Sequence, residues 1–329
     1  MRHRTHSFIR PTRPRVASLL SAVCLALCAN IGLAGADGTM VRSADGTAVS
    51  VKDASRIVAI GGSVTEILYA LGLERQIVAV DTSSLYPPNA LRDKPNVGYM
   101  RALSPEGVLG LDPSLIIALE GSGPKEAIAV LESAHVPFLH VPESFTGEGI
   151  LAKIKLVAAA AGAPERGACL AAAVGRDLDQ LALLRKSIAD RKRVMFVLSL
   201  VDGRPMVAGR GTAADGIIRL AGAINAIDAF EGYKQLGDEA VIASRPDAIL
   251  VMQRPGAALD AATVFGLPAF SLTPAARTRS FVTMEGLYLL GFGPRTARAA
   301  RDLASSLYPT IPHVEFASER NDPARLCGS

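Results

Sequence analysis

The sequence predicts an α/β fold of two lobes, each built on a mainly parallel sheet, with a long rigid helix joining them. Three observations predict it: short apolar runs alternate with helical patterns in both halves, two weak internal repeats relate the halves, and a stretch without strand patterns separates them. Strands of roughly four to six residues that alternate with helices of about a dozen are typical of βα units around a parallel sheet. With 329 residues, 49% of them hydrophobic, the chain is long enough for two such lobes.

The first lobe is predicted over residues 55–145. Its apolar runs and helical patterns follow one another in the order RIVAI, TEILYALG, IVAVD, SLIIAL, AIAVLESA and VPFLHV. The second lobe, over residues 191–310, repeats this design with RVMFVLSL, GIIRLAGA, AILVM and FGLPAFSL, and with a final helix over residues 296–307. Both lobes are therefore expected to be βα structures of similar design.

Linking helices are predicted over residues 146–190. One helical pattern covers residues 146–161, and Pro164 opens a second that runs to about Asp190. Proline suits the first turn of a helix, because its missing N–H would have no partner there. At 1.5 Å per residue the second helix is a rod of roughly 40 Å. A flexible linker would be rich in Gly and Ser, so we expect a stiff connection and only small relative motion of the lobes.

Two internal repeats relate the lobes. Residues 103–117 resemble residues 236–250 at an offset of 133, and the glycines and apolar residues of 61–72 recur in 211–222 at an offset of 150. Glu106 and Glu239 occupy matching positions in the first repeat. Because the fold does not require acidic residues there, their match favours a genuine repeat over chance.

Residues 1–36 are predicted to be a secretory signal peptide, with a basic start, an apolar segment over residues 16–33 and cleavage after Ala36. The alternative is a membrane anchor, because the apolar run nearly reaches spanning length, but Asn30 interrupts it. Cys24 and Cys28 lack the small preceding residue of a lipidation site. We therefore expect an exported, periplasmic protein.

The leader also explains the charge. Its five arginines account for the net charge of +4, and the rest of the chain is close to neutral without a basic block. A near-neutral chain without a basic block lacks the positive surface that nucleic-acid binding requires, so we exclude a nucleic-acid-binding protein. Cys169 and Cys327 remain after cleavage, but one falls in a predicted helix and the other in the C-terminal tail. They could pair in an oxidising compartment, but the sequence does not show whether they do.

The motifs of catalysis are missing from the sequence. It contains no H-E-x-x-H, C-x-x-C, G-x-S-x-G or G-x-x-x-x-G-K pattern. Residues 60–66 (IGGSVTE) follow a strand and open a helix, but they lack the third glycine of a dinucleotide site. They predict a helix start whose free backbone N–H groups face a cleft. A binding protein is therefore favoured over an enzyme.

Residues 95–106 predict a loop that ends in a helix start, with Ser104 as N-cap and Pro105 in the first turn. Tyr99 follows a glycine on this loop, at the carboxyl side of the sheet, where ligands bind in open α/β folds. The residues alone leave two interpretations of Tyr99 open, a ligand contact and a half-buried loop aromatic.

Six segments carry a family resemblance: residues 56–73, 78–87, 95–124, 193–199, 206–226 and 284–296. They resemble the periplasmic haem-binding proteins of bacterial haem ABC importers, within the cobalamin and siderophore class of substrate-binding proteins. The segments span nearly all of the chain after the leader. The stretch GYMRALSPEGVL (98–109) is the most specific, because it separates haem binders from the wider class. The resemblance implies a class III periplasmic binding protein fold.

The resemblance implies that Tyr99 is the axial ligand to the iron of haem b. A phenolate oxygen suits ferric iron, and tyrosine is an axial ligand in other haem proteins. Since free tyrosine has a pKa of about 10, ligation at neutral pH needs the iron and a nearby cation. Arg101 and Arg254 are the candidates for that cation, with ordinary surface arginine as the alternative for each. Candidates for apolar contact with the porphyrin are Met100, Met206 and Met252, with core methionine as the alternative.

The resemblance also bears on stoichiometry and partners. Some family members carry a histidine that resembles a ligand for the iron of a second, stacked haem. This sequence has Leu200 at that position, so the resemblance implies one haem per chain. In the larger class, a glutamate at the tip of each lobe contacts the permease, and Glu106 and Glu239 resemble these two residues. The resemblance therefore implies that they dock on an ABC permease with its ATPase. The alternative for both is a helix-start carboxylate favoured by the helix dipole.

We therefore expect a periplasmic substrate-binding protein that binds haem in the cleft between its lobes and delivers it to an ABC transporter. An outer-membrane haem receptor system is a further candidate partner. The alternatives are a corrinoid or ferric-siderophore binding protein of the same class and an exported α/β enzyme.

Overall fold

The computed structural model describes residues 1, 3, 38–253, 259–316 and 327. It divides the chain into two compact units, Met1–Asp37 and Gly38–Ser329. Apart from residues 1 and 3, the predicted signal peptide lies outside the described residues, and so do its cleavage site and Arg254. Among the described residues, no helix combines the length and the apolar character needed to cross a membrane.

The first lobe carries a four-stranded parallel sheet and a preceding hairpin. The strands are β1 (Thr39–Arg42), β2 (Ala48–Val51), β3 (Ile57–Ile60), β4 (Ile77–Val80), β5 (Leu115–Leu119) and β6 (Phe138–Val141). The helices are α1 (Gly62–Ala70), α2 (Asn89–Asp93), α3 (Pro105–Leu109) and α4 (Lys125–Ser133). The sheet has the order β4-β3-β5-β6, and β1 pairs with β2 outside it. Strands β3 and β5 are buried along their whole length, as their unbroken apolar runs predict for a parallel sheet.

The connection consists of two helices, α5 (Gly147–Ala160) and α6 (Pro164–Lys186). The Thr146 hydroxyl caps α5 by accepting a hydrogen bond from the Gly149 N–H, and Pro164 stands in the first turn of α6 as predicted. The 23 residues of α6 make a rod of about 35 Å. Helix α5 packs against α1, and α6 packs against helices of the second lobe, so the connection is a packed part of the structure.

The second lobe carries a six-stranded mixed sheet. Its strands are β7 (Arg193–Val201), β8 (Arg204–Ala208), β9 (Ile224–Asn225), β10 (Tyr233–Gln235), β11 (Ala248–Gln253) and β12 (Phe281–Glu285). Its helices are α7 (Ala213–Leu220), α8 (Asp238–Ser244), α9 (Ala261–Phe265), α10 (Pro268–Ser271), α11 (Pro274–Thr278), α12 (Gly286–Leu290) and α13 (Thr296–Leu307). Strands β7, β11 and β12 are parallel, as predicted.

Antiparallel strands at one side of this sheet were not predicted. Strand β8 is antiparallel to both β7 and β10. The turn between β7 and β8 contains Asp202 and Gly203, both with positive φ, 51° and 76°. Two-residue turns of this kind join antiparallel strands, and Asp-Gly is their sequence signature.

The internal repeats correspond to structure. Helices α3 and α8 begin at Pro105 and Asp238, an offset of 133 residues, and the strands that follow begin at Leu115 and Ala248, the same offset. The lobes also share one core, because a single buried apolar cluster runs from Ile57 in β3 to Leu307 in α13. A second cluster lies in the second lobe alone. The shared core agrees with lobes that move little relative to each other.

The structure decides the pairing of the cysteines, which the sequence left open. Cys169 of α6 and Cys327 form a disulfide, with Cα atoms 5.7 Å apart, and they lie 158 positions apart in sequence. The chain returns at its C-terminus to the helix that joins the lobes, and this return brings the two thiols together.

Candidate functional site

A cavity of about 310 Å³ lies between the lobes. This volume is within the range of small-ligand pockets. Most of its lining comes from residues at or just after the carboxyl ends of the parallel strands in both sheets, where open α/β folds bind ligands. Apolar side chains that line it are Leu85, Met100, Leu119, Met252, Leu287 and Leu290. Polar side chains that line it include Ser63, Ser83, Tyr99, Arg101, Glu120, Glu143 and Gln253.

Tyr99 lies on the loop between α2 and α3 and lines this cavity. Its side chain is 47% exposed, so it is not packed into the core. The loop backbone is fixed: Gly98 has a φ of 91°, the Thr82 N–H donates to the Gly98 carbonyl at 2.9 Å, and the Ala102 N–H donates to the Tyr99 carbonyl at 2.7 Å. The Asn96 side chain accepts from the Gly98 N–H at 2.8 Å. A tied-down turn thus presents an accessible phenol to the cavity.

Met100 and Arg101 line the same cavity. Met100 is 8% exposed and belongs to the shared core. It therefore fits both interpretations of its side chain, a wall of the ligand cavity and a core methionine. The Gly123 N–H donates to the Met100 carbonyl at 2.9 Å, which continues the fixed backbone past Tyr99. Met252 of β11 faces the cavity from the second lobe. The structure therefore brings Tyr99, Met100 and Arg101 together.

One side of the cavity has charged groups that the sequence reasoning missed. Glu120 and Glu143 line it, and the Glu143 N–H donates to the Glu120 carboxylate at 2.9 Å. Lys153 of α5 is buried and donates a hydrogen bond from Nζ to Oε1 of Glu143. Burial raises the pKa of the Glu143 carboxyl; the Lys153 charge opposes that shift, the Glu120 charge adds to it, and Arg101 opposes it.

A sequence signal for Lys153 was available. In α5 the positions of Ile150, Lys153, Ile154 and Val157 follow the spacing of one helix face, and all four are buried. A lysine on an otherwise apolar face requires a buried partner. The sequence does not show that the partner is Glu143, because that residue lies outside the helix.

The start of α1 differs from its prediction. The helix begins at Gly62 as expected, but the Gly61 N–H donates to Oδ1 of Asp81 and the Gly62 N–H donates to Oγ of Ser83, both at 2.9 Å. Asp81 is buried and also accepts from the Ser84 hydroxyl. The expectation of free N–H groups facing the cleft is therefore wrong for these two glycines, because the loop after β4 satisfies them.

Three other predicted residues, Glu106, Glu239 and Leu200, do not line the cavity. Glu106 and Glu239 are exposed and occupy the same position, the second residue, of α3 and α8. Leu200 of β7 is half-buried and packs against the second core cluster. Arg254 follows Gln253, which lines the cavity, but it is outside the described residues.

Comparison with known proteins relates the chain to transport proteins. The profile of the family described as "Periplasmic binding protein" matches residues 57–286. An uncharacterized ABC transporter substrate-binding lipoprotein of Bacillus subtilis, YvrC, is 28% identical over 307 residues, with 89% of this chain and 96% of the relative covered. A vitamin B12-binding protein of Pectobacterium atrosepticum is 25% identical, with 77% and 88% covered.

Solved structures show the same fold at higher identity. The periplasmic heme-binding protein BhuT, in complex with two hemes, is 39% identical with a TM-score of 0.73, with 77% of this chain and 97% of that chain covered. The periplasmic heme-binding protein RhuT from Roseiflexus sp. RS-1, in apo form, is 38% identical with a TM-score of 0.73, with 78% and 99% covered. The predicted fold class is confirmed. These relatives are binding proteins, in agreement with the expectation of a binding protein and not an enzyme.

Proposed function

Because the chain belongs to the periplasmic binding protein family and its relatives include an ABC transporter substrate-binding lipoprotein and periplasmic heme-binding proteins, we propose that it binds haem b in its cleft and delivers it to an ABC permease. The observation that carries this proposal is Tyr99: a tyrosine with 47% of its side chain exposed, held by a rigid turn at the edge of a cavity with apolar walls. Haem is the cargo and takes no part in a reaction here.

The walls of the cavity suit a flat apolar ligand. Leu119 of the first lobe and Met252, Leu287 and Leu290 of the second approach the space beside Tyr99 from opposite sides. Apolar and thioether side chains pack well against an aromatic macrocycle. A porphyrin between these walls turns one face toward the first lobe, and an axial ligand reaches the iron through that face. Tyr99 is a first-lobe side chain that lines the cavity.

Arg101 is proposed as the cation that accompanies ligation. It lines the cavity two residues after Tyr99. A cation near an iron-bound phenolate would offset the negative charge of the oxygen. Arg254 is proposed for the same role, because it directly follows Gln253 in the sequence and Gln253 lines the cavity from the second lobe. Glu120 and Glu143 bring negative charge to the same cavity, so the role of Arg101 includes offsetting these carboxylates.

One haem per chain is proposed, because Leu200 takes the place where some family members carry a histidine. BhuT was solved in complex with two hemes, so stoichiometry is a point on which this chain is expected to differ from that protein. The hydrocarbon side chain of Leu200 has no atom that can bind iron.

Delivery is proposed to use Glu106 and Glu239 as the permease contacts. Each is exposed in the first turn of its helix, and the two helices are related by the internal repeat. Exposed charges at the rim of an interface set orientation and association rate. We further propose export by a signal peptide cleaved after Ala36, action in the periplasm, and supply by an outer-membrane haem receptor.

The second candidate ligand is a corrinoid, because curated relatives include vitamin B12-binding proteins. A single experiment separates the two: titrate the purified protein with hemin and, in parallel, with cyanocobalamin, and follow both by isothermal calorimetry and absorption. We expect saturable binding of hemin with a ferric tyrosinate spectrum and no heat from cyanocobalamin. Saturable cyanocobalamin binding without a hemin complex would assign the cleft to corrinoids.

A further inference from the structure

Arg295 of the second lobe joins the two lobes through Glu66 of α1. Its Nη2 donates to Oε2 of Glu66 at 3.0 Å, and its backbone N–H donates to Oε1 of the same carboxylate at 3.1 Å. The side chains are 19% and 5% exposed. Both carboxylate oxygens of a buried glutamate are therefore bonded to one residue of the opposite lobe, 229 positions away in sequence.

Two tyrosines hold the Arg295 guanidinium from different lobes. Its Cζ lies 3.5 Å from the ring centroid of Tyr86 in the first lobe and 5.1 Å from that of Tyr288 in the second. Tyr288 donates its hydroxyl hydrogen to Asp302 at 2.8 Å, which fixes that ring. A cation over an aromatic face is attracted by the negative potential of the ring. The guanidinium is thus bound to the first lobe by an ion pair and by a stacked ring.

The lobes approach each other closely at this contact. A Cβ atom on Gly293 would lie 3.3 Å from Cδ of Glu66, and a Cβ atom on Gly62 would lie 2.5 Å from Cδ1 of Leu287. Leu287 and Gly62 both line the cavity. The separation of the cavity walls is therefore fixed beside the Arg295–Glu66 pair, and a change there would alter the width of the cleft.

We propose that Arg295, through Glu66 and Tyr86, is a positioning residue that holds the cleft at a fixed width and slows the exit of its ligand. Opening the cleft would break both hydrogen bonds between Arg295 and the Glu66 carboxylate and would separate Arg295 from the Tyr86 ring. The ligand named in the test, hemin, rests on the proposed function. The restraint on the lobes does not depend on the identity of the ligand.

The first test measures exit of the ligand. Hemin-loaded protein is mixed with an excess of apomyoglobin, and the transfer rate is followed by absorption for the wild type, Arg295→Gln, Glu66→Gln and Tyr86→Leu. We expect the rate to rise about tenfold in Arg295→Gln and Glu66→Gln, since removing one partner of a buried pair acts on dissociation. The rise should be smaller in Tyr86→Leu, because this variant keeps the Arg295–Glu66 ion pair. It also tests the proposal if Arg295→Gln and Glu66→Gln do not fold. The spectrum of the bound hemin should stay unchanged, because Tyr99 is intact.

Arg219→Gln is the matched control, because Arg219 pairs with Asp215 at 3.1 Å within the second lobe alone. Its transfer rate should equal that of the wild type. A wild-type rate in Arg295→Gln, or an equal increase in Arg219→Gln, would overturn the proposal.

The second test needs no ligand. Spin labels on cysteines introduced at Lys125 of α4 and Ala243 of α8, both exposed, report the distance between the lobes by pulsed electron paramagnetic resonance. We expect the distribution to broaden or lengthen in Arg295→Gln and to stay unchanged in Arg219→Gln. An unchanged distribution in Arg295→Gln would reject the positioning role. If the wild type failed to bind hemin, the proposed function would fail, and this distance measurement would still decide the role of Arg295.

Discussion

Lys153, a buried residue of the helix after the first lobe, donates a hydrogen bond from Nζ to the carboxylate of Glu143, which lines the cleft. The same Nζ lies 3.4 Å from the hydroxyl oxygen of Ser63 at the start of α1. One lysine therefore connects the linking helix to two segments that line the ligand cavity. A buried ion pair of this kind is sensitive to the loss of either partner.

Substitution of Lys153 by methionine should destabilise the protein by about 3 kcal/mol at neutral pH, because it leaves the charge of the largely buried Glu143 without its partner. Burial already raises the pKa of Glu143 above its ordinary value of 4.5. Because its pKa is raised in the native state, the Glu143 carboxyl binds its proton more tightly in the folded protein than in the unfolded chain. Its contribution to the free energy of unfolding is therefore favourable at low pH and is lost as the pH rises. Loss of the Lys153 charge should raise the pKa further.

Urea unfolding at pH 5.5 and pH 8.0 checks this prediction. The deficit of Lys153→Met relative to the wild type should be larger at pH 8.0. The matched control is Lys155→Met, an exposed lysine two residues along the same helix, which should cost little at either pH. A deficit that is equal at both pH values, or equal in the two variants, would contradict the role given to the Lys153–Glu143 pair.

Removal of the disulfide should destabilise the protein without affecting the cleft. Cys169→Ser, Cys327→Ser and the double variant should each lose about 2–4 kcal/mol, because the cross-link restrains the unfolded chain. Thermal unfolding with and without a reductant measures the loss. The wild type should shift with reductant and the double variant should not. A wild-type melting temperature that does not respond to reductant would show that the pair does not form.

The combined variant Glu106→Ala, Glu239→Ala should bind hemin as the wild type does and should transport it poorly. Both side chains are exposed and lie away from the cavity lining, so their loss leaves the cleft intact. Hemin uptake into proteoliposomes that contain the cognate permease and ATPase should fall by roughly tenfold. Glu126→Ala is the matched control, since Glu126 is an exposed first-turn glutamate of α4. Full uptake with the double variant would refute docking through these two residues.

Titration of the protein with hemin should saturate at one equivalent per chain. Leu200 replaces the histidine of some family members, and its side chain packs against core residues. Absorption changes and mass spectrometry of the complex under native conditions give the stoichiometry. A second saturable equivalent with a six-coordinate spectrum would show that another residue takes the place of that histidine.

The sequence predicts the elements of the fold well where apolar runs are unbroken. Strands β3 and β5 are wholly buried and could be placed from their apolar residues alone. The antiparallel strand β8 was missed, although Asp202 and Gly203 signal its turn. The hairpin of β1 and β2 was missed because its strands are largely exposed and carry no long apolar run.

The candidate site could be predicted only in part. Tyr99, Met100 and Arg101 lie together in sequence, so the loop that carries them brings them to one place in the structure. The pair of Glu66 and Arg295 joins residues 229 positions apart, and the disulfide joins residues 158 positions apart. Sequence spacing holds no information on such contacts, because they depend on how the two lobes pack.

The hemin complex of Tyr99→Phe tests the central claim most directly. Tyr233→Phe is the matched control, since Tyr233 is exposed to a similar extent, 42% against 47%, on strand β10. We expect the ferric tyrosinate absorption of the wild type to be retained in Tyr233→Phe and lost in Tyr99→Phe, with hemin bound at least about tenfold more weakly. A Tyr99→Phe complex with the wild-type spectrum and affinity would contradict the assignment of Tyr99 as the iron ligand.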